Sequence, residues 1–577
     1  MDGLGASGIA SRPSDPGIIL DHLWTSALEF TAERTGELRV DCAAYSVGVS
    51  AEGPSLEIRW SQGRLVLGAG AGEKPSRWSL GSQLGDVVRV TLTAEDGRRV
   101  TLECREDCIY AWAEIPDPGD APVVLCGPRP PLFDQLFSPE PTAERQYLFG
   151  PGDRALTSVW SDPDYHQGNW FFSPPPLCFG IQSGAGALAI GVGCPSADLD
   201  FSAFEYDGGF RFRYQGAPQT PYRSPRLLLL PTAGDGQMAV EACCQYLRRL
   251  GLAPSGTGRA RPSWWAEPGF CGWGEQSYQG CESPTFVPGH LPEGTAARCT
   301  QRLYEDSIAL LEAEGIHPGV VTVDDKWQRV YGMARPDGQR WPDLRGFIAE
   351  QHRRGRRVLL WWKLWDGEGL PGEDLLPGGE GLVVDPTSPS YRQLLAREVR
   401  HALLELGADG FKVDFLHRGP TRQHGPARAG LSGVRLLRSM LEAIRNPALE
   451  AKEDMLLVAH AANPFLADLV DMVRLNDISC PPGVAEIGPE MRLRARIARA
   501  ACPDALIDTD NWPCPSRQLW REYVVEQPEI GVPSLYYASG IDMSGEHLLP
   551  EDYALVRETW SRWRRGEARD LSRMPRP

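Results

Sequence analysis

Gly410-Phe411-Lys412-Val413-Asp414 is an apolar strand pattern that brings a lysine and an aspartate to its far end. Residues two apart in a strand lie on the same face, so Lys412 and Asp414 point the same way. A charged side chain that follows Phe411 and Val413 must be paired, hydrogen-bonded or functional, because burying an unpaired charge is costly. The stretch therefore predicts a strand that ends in a functional carboxylate.

A second short hydrophobic run, Met472-Val473-Arg474-Leu475-Asn476-Asp477, also ends on an aspartate. Two carboxylates at the ends of neighbouring strands suit glycosidic chemistry, because one can attack the anomeric carbon of a sugar while the other protonates the departing oxygen. We therefore take Asp414 and Asp477 as the candidate catalytic residues.

Strand-like runs alternate with amphipathic helical segments on both sides of these two runs. Such alternation indicates parallel βα units, and eight units favour a closed (β/α)8 barrel over an open sheet. The predicted strands are Gly269–Gln276, Val320–Asp325, Val358–Asp366, Gly410–Leu416, Met455–Ala461, Met472–Asp477, Leu506–Asn511 and Val532–Ser539. The predicted helices are Arg302 to Glu314, Leu344 to Arg353, Tyr391 to Leu406, Val434 to Ile444, Glu490 to Ala501, Leu519 to Glu526 and Tyr553 to Trp563.

The first part of the chain is typical of a β-sandwich. Asp96-Gly97 separates two β-rich runs, and Asp207-Gly208-Gly209 separates two more, which are hairpin signals. Helical spacing follows between Met238 and Leu250, and then a stretch rich in Pro, Gly and Ser. The predicted fold is a multidomain α and β protein, with an N-terminal β-sandwich followed by a (β/α)8 TIM barrel. The expected boundaries are 1–252 for the sandwich and its terminal helix, 253–265 for the linker, 266–566 for the catalytic barrel and 567–577 for a tail.

Polar and aromatic residues gather at the predicted strand ends, where barrel enzymes place their chemistry. Flat aromatic faces cover the axial C–H groups of a pyranose, while Asp, Lys and Asn bind its hydroxyls. The candidate substrate-binding residues at these ends are Trp273, Asp324, Asp325, Trp327, Trp362, Lys363, Lys412, His460, Asn463, Arg474 and Asp510.

Trp170 is a further candidate, in the polar and aromatic segment Asp164 to Trp170. Such a segment suits a loop that overhangs a sugar pocket, although a surface loop with one packed tryptophan explains it equally well.

Several of these residues also have structural explanations. His460 is compatible with a hydrogen-bonded core histidine, and Arg474 with the partner of a structural carboxylate. The Lys412 ammonium could keep Asp414 ionised as a nucleophile, or the two could form a purely structural pair. The alternative acids to Asp477 are Asp508, Asp510, Glu275 and Asp366.

At these residues the chain resembles the clan of retaining α-glycosidases that contains glycoside hydrolase families 27, 31 and 36, and it resembles the family 36 α-galactosidases most. The resemblance covers most of the chain. It implies a β-sandwich before a (β/α)8 barrel, a nucleophile in the Lys412-Val413-Asp414 motif and an acid/base at Asp477. Val323-Asp324-Asp325-Lys326-Trp327 is similar to the second-strand Asp-Asp-Gly-Trp motif of the family, which implies that Asp324 and Asp325 hold the distal hydroxyls of the sugar.

The chain departs from the family 36 pattern at some positions. Lys326 replaces the usual Gly, and the third strand reads Trp361-Trp362-Lys363-Leu364-Trp365-Asp366 where the family has Trp-x-x-Pro-Glu. Gly410 to Asp414 is equally similar to family 31. These departures affect the expected sugar more than the expected chemistry.

The expected function is a retaining, exo-acting α-glycoside hydrolase, similar to an α-galactosidase, that works by double displacement. Glycosyl transfer through the same intermediate is one alternative. The other is a non-catalytic carbohydrate-binding protein, which would not need two placed carboxylates.

Composition limits the partners. The net charge of −17 disfavours nucleic acid and anionic lipid, and no run of eighteen apolar residues predicts a membrane span. The N-terminus lacks a signal-peptide pattern, which favours a cytoplasmic protein. Fourteen cysteines without paired zinc-ribbon spacing predict no metal, and we expect no cofactor. The expected partner is a small oligosaccharide or glycoside, and a homo-oligomer stays open.

Overall fold

The computed structural model describes residues 29–32, 37–51, 53–68, 77–83, 87–126, 131–140, 146–160, 174–280, 294–379, 381–475, 477 and 486–567. Among them, no helix combines the length and the apolar character that crossing a bilayer requires.

Antiparallel strands dominate the N-terminal part. They are β1 (Glu29–Ala32), β2 (Glu37–Asp41), β3 (Tyr45–Ser50), β4 (Ser55–Trp60), β5 (Gly63–Gly68), β6 (Trp78–Gln83), β7 (Val88–Ala94), β8 (Arg99–Cys104), β9 (Ile109–Ile115), β10 (Val123–Leu125), β11 (Gln135–Phe137), β12 (Leu148–Phe149), β13 (Arg154–Ser158), β14 (Cys178–Ser183), β15 (Gly186–Val192), β16 (Phe201–Asp207), β17 (Phe210–Tyr214), β18 (Tyr222–Arg223) and β19 (Leu227–Ala233). Both predicted hairpins are present, as β7–β8 and β16–β17.

These strands form layered sheets. Strands β1 to β5 make one sheet, β10-β17-β16-β13 a second, and a ten-stranded sheet a third. Phe179 of the ten-stranded sheet packs against Phe204 and Phe210 of the second sheet, with ring centroids 5.0 and 6.0 Å apart. Side chains that alternate along each strand thus meet face to face between sheets. The predicted β-sandwich is confirmed.

A parallel barrel follows. Its strands are β20 (Gly269–Cys271), β21 (Val320–Val323), β22 (Arg357–Trp362), β23 (Gly410–Val413), β24 (Leu456–Ala459), β25 (Met472–Arg474), β26 (Leu506–Asp508) and β27 (Ser534–Leu535). Each pairs with the next from β20 to β26, β27 pairs with β20, and a single bridge from Asp508 to Val532 closes the ring. The predicted (β/α)8 barrel is confirmed. A short hairpin of β28 (Gly540–Ile541) and β29 (Glu546–His547) follows it.

Helices accompany the strands. They are α1 (Gly236–Arg249), α2 (Trp273–Gly280), α3 (Gln301–Ala313), α4 (Leu344–Arg353), α5 (Pro389–Arg400, continued by a π-helical turn at His401–Leu406), α6 (Gly433–Ala451), α7 (Gly488–Ala501), α8 (Arg517–Ile530) and α9 (Pro550–Arg564). Thr300, Asp343 and Ser516 cap α3, α4 and α8 by accepting backbone N–H bonds. The prediction of strand through Gln276 was wrong, because the chain turns into α2 after Cys271.

The N-terminal domain packs against loops that follow the barrel strands. Trp160 meets Trp365 edge to face, with ring centroids 5.1 Å apart, and Asn463 donates from Nδ2 to the carbonyl oxygen of Pro175 at 2.7 Å. Trp365 follows β22 and Asn463 follows β24. The sandwich therefore lies against the rim of the barrel from which the candidate site residues project.

Candidate active site

Three loops after barrel strands carry a non-glycine residue in the left-handed region. Lys326 follows β21 with φ +74°, Phe415 follows β23 with φ +55°, and Asp510 follows β26 with φ +47°. Left-handed backbone costs about 1–2 kcal/mol for a residue with a side chain, and such residues cluster at functional sites. All three lie beside the side chains described below.

Asp414 directly follows β23 and is surrounded by hydrogen-bond donors. Its Oδ1 accepts the Phe415 N–H at 2.8 Å and lies 2.6 Å from His460 Nε2, while its Oδ2 accepts the Trp361 indole N–H at 3.0 Å. The guanidinium of Arg474 lies 3.5 Å from Oδ1. Only 7% of Asp414 is exposed. The carboxylate is therefore stabilised by direct contacts instead of by water.

These contacts determine the ionisation of Asp414. Burial opposes the charged form, but His460, Arg474 and Lys412 outweigh it and hold the pKa of Asp414 well below its usual value. His460 Nε2 lies 2.6 Å from Asp414 Oδ1 and also 2.8 Å from a terminal nitrogen of Arg474. Asp414 is therefore an anion across the ordinary pH range, as a nucleophile requires.

Lys412 binds mainly to Asp324. Its Nζ lies 2.7 Å from Asp324 Oδ2 and 3.8 Å from Asp414 Oδ2, and its side chain is 4% exposed. Asp324 Oδ2 also accepts the thiol of Cys271 at 3.0 Å. Burial lowers the pKa of Lys412, but Asp324 outweighs it and raises the value, so the ammonium stays charged.

Arg474 connects the two candidate catalytic residues. One terminal nitrogen lies 3.5 Å from Asp414 Oδ1, and the other contacts Asp477 Oδ1. The second nitrogen also lies 2.6 Å from Asp510 Oδ2, and Nε donates to the Tyr536 hydroxyl at 3.2 Å. One planar guanidinium thus fixes three carboxylates around the end of β25.

The two candidate catalytic carboxylates have different environments. The side chain of Asp414 is 10% exposed, whereas that of Asp477 is 34% exposed. Asp510 lies behind them and is fully buried, and burial raises its pKa, with the nearby Asp477 adding to the rise and Arg474 opposing it. Asp414 can therefore act as a caged anion, while Asp477 has the access to water that proton exchange needs.

A second cluster surrounds Asp325 at the end of β21. Tyr331 donates its hydroxyl proton to Asp325 Oδ1 at 2.8 Å, and the ammonium of Lys326 lies 3.6 Å from the centroid of the Tyr331 ring. The Lys363 ammonium lies 5.1 Å from the same ring and 2.8 Å from Asp366 Oδ2. Burial raises the pKa of Asp325 to about 6, although the Tyr331 hydrogen bond opposes the rise. The cluster offers several polar groups to hydroxyls at one side of the site.

Trp273 opens α2 and meets Trp512 edge to face, with ring centroids 5.6 Å apart. Trp512 follows β26, and its indole donates to Asp542 Oδ2 at 2.9 Å. Trp273 is 8% exposed and Trp512 5%. The pair provides aromatic edges between the ends of β20 and β26.

Some predicted site residues use their polar atoms elsewhere. Trp327 is fully buried and donates to the backbone oxygen of Trp361 at 2.7 Å, and Trp362 donates to the backbone oxygen of Tyr331 at 2.8 Å. Asn463 binds Pro175 and caps the turn at Phe465. These three side chains bind backbone groups within the protein and are not part of the proposed site.

The alternative acids have structural partners. Glu275 accepts the backbone N–H groups of Ala538 and Ser539, each at 2.9 Å. Asp366 binds Lys363, and Asp508 accepts the hydroxyl of Ser534. Asp508 is the backbone partner of Arg474 between β25 and β26, but none of these three side chains forms a hydrogen bond or ion pair with Arg474 or Asp414 in the part of the chain that the structure describes. Trp170, the loop candidate, lies outside the described residues.

Sequence reasoning missed three side chains that contact the site. Trp361 binds the nucleophile candidate, Tyr536 binds Arg474 and Tyr331 binds Asp325. The sequence alone does not identify Trp361, because its position opposite Lys412 on the neighbouring strand, where parallel neighbours point to the same side, is known only from the structure. Tyr536 follows the last strand. Because the other seven predicted strands end in polar residues, an aromatic residue at the end of the eighth could have been taken as a site residue.

Among the residues the structure describes, no group of three or more His, Cys, Asp or Glu is arranged to hold a metal ion.

Solved structures share this fold. TtGalA, an alpha-galactosidase from Thermus thermophilus in complex with stachyose, aligns with a TM-score of 0.51 and 16% identity over 83% of this chain and 99% of that chain. A GH31 family sulfoquinovosidase from E. rectale, in complex with an aza-sugar inhibitor, aligns with a TM-score of 0.56 and 12% identity over 92% and 82%. A GH31 alpha-xylosidase from a soil metagenome, complexed with xylose, gives 0.51 and 12% over 93% and 84%.

At these identities the likeness shows the fold alone. No family profile matches the sequence, and no curated protein matches it.

Proposed function

We propose that this protein is a retaining, exo-acting α-glycoside hydrolase in which Asp414 is the nucleophile and Asp477 the acid/base. The observation that carries the proposal is the single guanidinium of Arg474, which contacts both carboxylates at the mouth of the barrel. The low pKa of Asp414 supports its role as an anion, and the partial exposure of Asp477 supports proton exchange.

The reaction would run in two displacements. In the first, Asp414 attacks the anomeric carbon, the bond to the leaving oxygen breaks, and protonated Asp477 gives its proton to that oxygen. In the second, Asp477 removes a proton from water, the water oxygen attacks the anomeric carbon, and Asp414 leaves as a carboxylate. Two inversions give net retention at the anomeric carbon.

The remaining contacts suit a pyranose. Asp324 and Lys412 form one charged pair beside the nucleophile, and Asp325 with Tyr331 forms the next polar group along the strand ends. Trp361, which donates to Asp414 Oδ2, would stabilise the carboxylate before it attacks and again as it leaves in the second displacement. Trp273 and Trp512 would contact the C–H faces of the sugar.

A terminal α-galactoside is the first candidate substrate. The Asp324-Asp325 motif supports it by its similarity to the family 36 pattern, and TtGalA, which shares the fold, is an alpha-galactosidase. Because Lys326 stands where the family 36 motif has Gly, other α-linked sugars must be tested as well.

The decisive experiment is a panel of p-nitrophenyl α-glycosides, with NMR detection of the first sugar anomer released. We expect at least one α-glycoside to be cleaved, with the α-anomer appearing first and the β-anomer following by mutarotation. First release of the β-anomer would exclude the double displacement. No cleavage of any α-glycoside would leave a carbohydrate-binding protein as the better explanation.

Two variants separate the catalytic roles. Asp414→Gly with sodium azide should give a β-glycosyl azide, because azide would attack the sugar from the side that Asp414 vacates. Asp477→Ala should retain activity on activated aryl leaving groups, and azide should then give the α-glycosyl azide. Asp306→Asn is the control, because its side chain is 71% exposed on α3 and contacts neither catalytic residue.

A further inference from the structure

A groove of about 730 Å³ lies between the N-terminal domain and the barrel helix α6. Its walls come from the ten-stranded sheet, from the end of α1 and from Arg435 near the start of α6. None of the proposed active-site residues lines it. Its volume falls in the range that binds a small organic ligand.

Three of the arginines that line the groove lie over aromatic rings of β9. Tyr110 and Trp112 lie two apart on β9 and so share a face of the strand. The guanidinium of Arg105 lies 5.0 Å from the Tyr110 ring centroid, and that of Arg226 lies 5.3 Å from the Trp112 centroid. Arg223 lies 6.0 Å from the same tryptophan. The contact with Trp112 holds the guanidinium of Arg226 in place while its N–H groups remain available as donors.

The charges of these arginines are only partly compensated. Arg105 binds Glu103 at 2.6 Å, and Arg223 lies 3.9 Å from Glu114. Arg226 and Arg435 form no ion pair with any residue that the structure describes.

Two acids also line the groove, Asp198 and Asp200, against four arginines. In a protein with a net charge of −17, a groove whose lining carries more positive than negative side chains is a local exception.

The groove also offers hydroxyls and apolar surface. The hydroxyls of Tyr214 and Tyr222 lie 3.1 Å apart, and both residues line the groove. Leu250 and Leu252 contribute apolar side chains from the end of α1 and the turn after it. Planar donors, paired hydroxyls and apolar patches together match a sugar chain that carries acidic groups.

We propose that this groove is a second carbohydrate site, which binds an acidic oligosaccharide through the guanidinium groups of Arg226 and Arg435. A free inorganic anion would fill only a fraction of its volume. Nucleic acid is the less favoured polyanion, because Asp198 and Asp200 line the groove and the protein as a whole is acidic. The site would act independently of the catalytic carboxylates.

The test measures binding to the full-length Asp414→Asn variant, in which turnover cannot consume the ligand. The probes are tetragalacturonate, uncharged maltotetraose, sodium sulfate and a single-stranded DNA 12-mer, measured by calorimetry at low salt. We expect tetragalacturonate to bind at least about tenfold more tightly than maltotetraose, and its affinity to fall about tenfold or more in Arg226→Gln/Arg435→Gln.

The control is Arg302→Gln, which removes an 89% exposed arginine side chain from α3 and should leave the affinity unchanged. Arg226→Lys/Arg435→Lys keeps the charge but loses the planar donors, so it should bind with intermediate affinity. If the Gln variant does not fold, the Lys variant alone decides, and wild-type affinity in it overturns the proposal.

Four other results would also overturn it: no binding of tetragalacturonate, equal affinity in the Gln variant, sulfate binding as tight as tetragalacturonate, or DNA binding that is tighter. In the wild-type background, the two groove substitutions should leave hydrolysis of an aryl glycoside unchanged. Because binding is measured in the Asp414→Asn background, failure of the proposed hydrolase would not alter this result.

Discussion

The Lys412 ammonium is the partner of Asp324, 2.7 Å from its Oδ2, and lies farther from Asp414, at 3.8 Å. The sequence suggested that Lys412 keeps the nucleophile ionised. In the structure the stronger influences on the pKa of Asp414 are His460 and Arg474, and Lys412 comes after them. The lysine of the Lys-x-Asp motif therefore mainly compensates a second buried carboxylate.

Lys412→Met should destabilise the protein strongly. It leaves Asp324 charged and buried without its ammonium partner, and breaking such a pair costs about 3–5 kcal/mol. The free energy of unfolding in urea measures the loss. Lys412→Met/Asp324→Asn should regain most of it, because no unpaired charge remains. Lys363→Met, which breaks a partly exposed pair with Asp366, should cost about 1 kcal/mol or less.

His460→Ala should shift the acid limb of kcat/KM to higher pH. His460 is the largest of the influences that lower the pKa of Asp414, so its removal lets that pKa rise, and more of the nucleophile is protonated at a given acidic pH. A pH profile on an aryl α-glycoside measures the shift.

His417→Ala is the matched control for this prediction. His417 is also buried near the end of β23, but burial lowers its pKa to about 3, so it is neutral and its removal takes no positive charge from Asp414. An equal shift in both variants would show that lost packing, and not lost charge, shifts the acid limb of the kcat/KM profile.

Trp361→Phe should reduce kcat/KM by roughly 10- to 100-fold, since it removes one hydrogen bond to an ionised group and keeps an aromatic ring. Trp362→Phe, on the same strand and equally buried, removes a bond to the backbone oxygen of Tyr331 and should affect stability more than rate. Steady-state kinetics beside thermal melts separate the two effects. Equal losses of kcat/KM would remove Trp361 from the proposed site.

Asp325→Asn should stabilise the protein above about pH 6. Burial raises the pKa of Asp325 from 3.8 to about 6, so the folded state holds a proton that the unfolded state releases. The stability of the wild type therefore falls as the pH rises between these values, by at most about 3 kcal/mol, and the loss is complete above them.

Melting curves of wild type and Asp325→Asn at pH 4 and pH 8 test this prediction. The variant should melt at a higher temperature than the wild type at pH 8 and at nearly the same temperature at pH 4. Asp306→Asn, at a side chain that is 71% exposed on α3, should show no such dependence on pH. If Asp325→Asn raised the melting temperature equally at both pH values, the raised pKa of Asp325 would not be the cause.

Much of the fold follows from local pattern. The helix Leu344 to Arg353 was predicted with the bounds that the structure gives to α4, because its apolar spacing is regular and Asp343 caps its first turn. The first barrel strand was predicted too long. Phe270, Trp273 and their neighbours are compatible with a strand or a helix, and the chain turns into α2 after only three strand residues.

The strand ends also brought Asp414, Asp477, Arg474 and His460 together as expected, since parallel strands of a barrel end at one rim. Trp361 and Trp362 show what sequence could not decide. Alternation within a strand tells that they point in opposite directions, but only the register against β23, with Trp361 opposite Lys412, tells which one faces the site. That register depends on contacts between distant parts of the chain.

The extent of strand pairing differs around the barrel. Between β26 and β27 it is closed by the single bridge from Asp508 to Val532, whereas β21 and β22 are paired over four residues. The side chains of Arg474 and Tyr536, joined at 3.2 Å, span the same gap from β25 to the residue after β27. Arg474 and Tyr536, which lie in the proposed active site, thus also connect the barrel across the gap between β26 and β27. A bound substrate would therefore stabilise the barrel at the place where its strands are paired least.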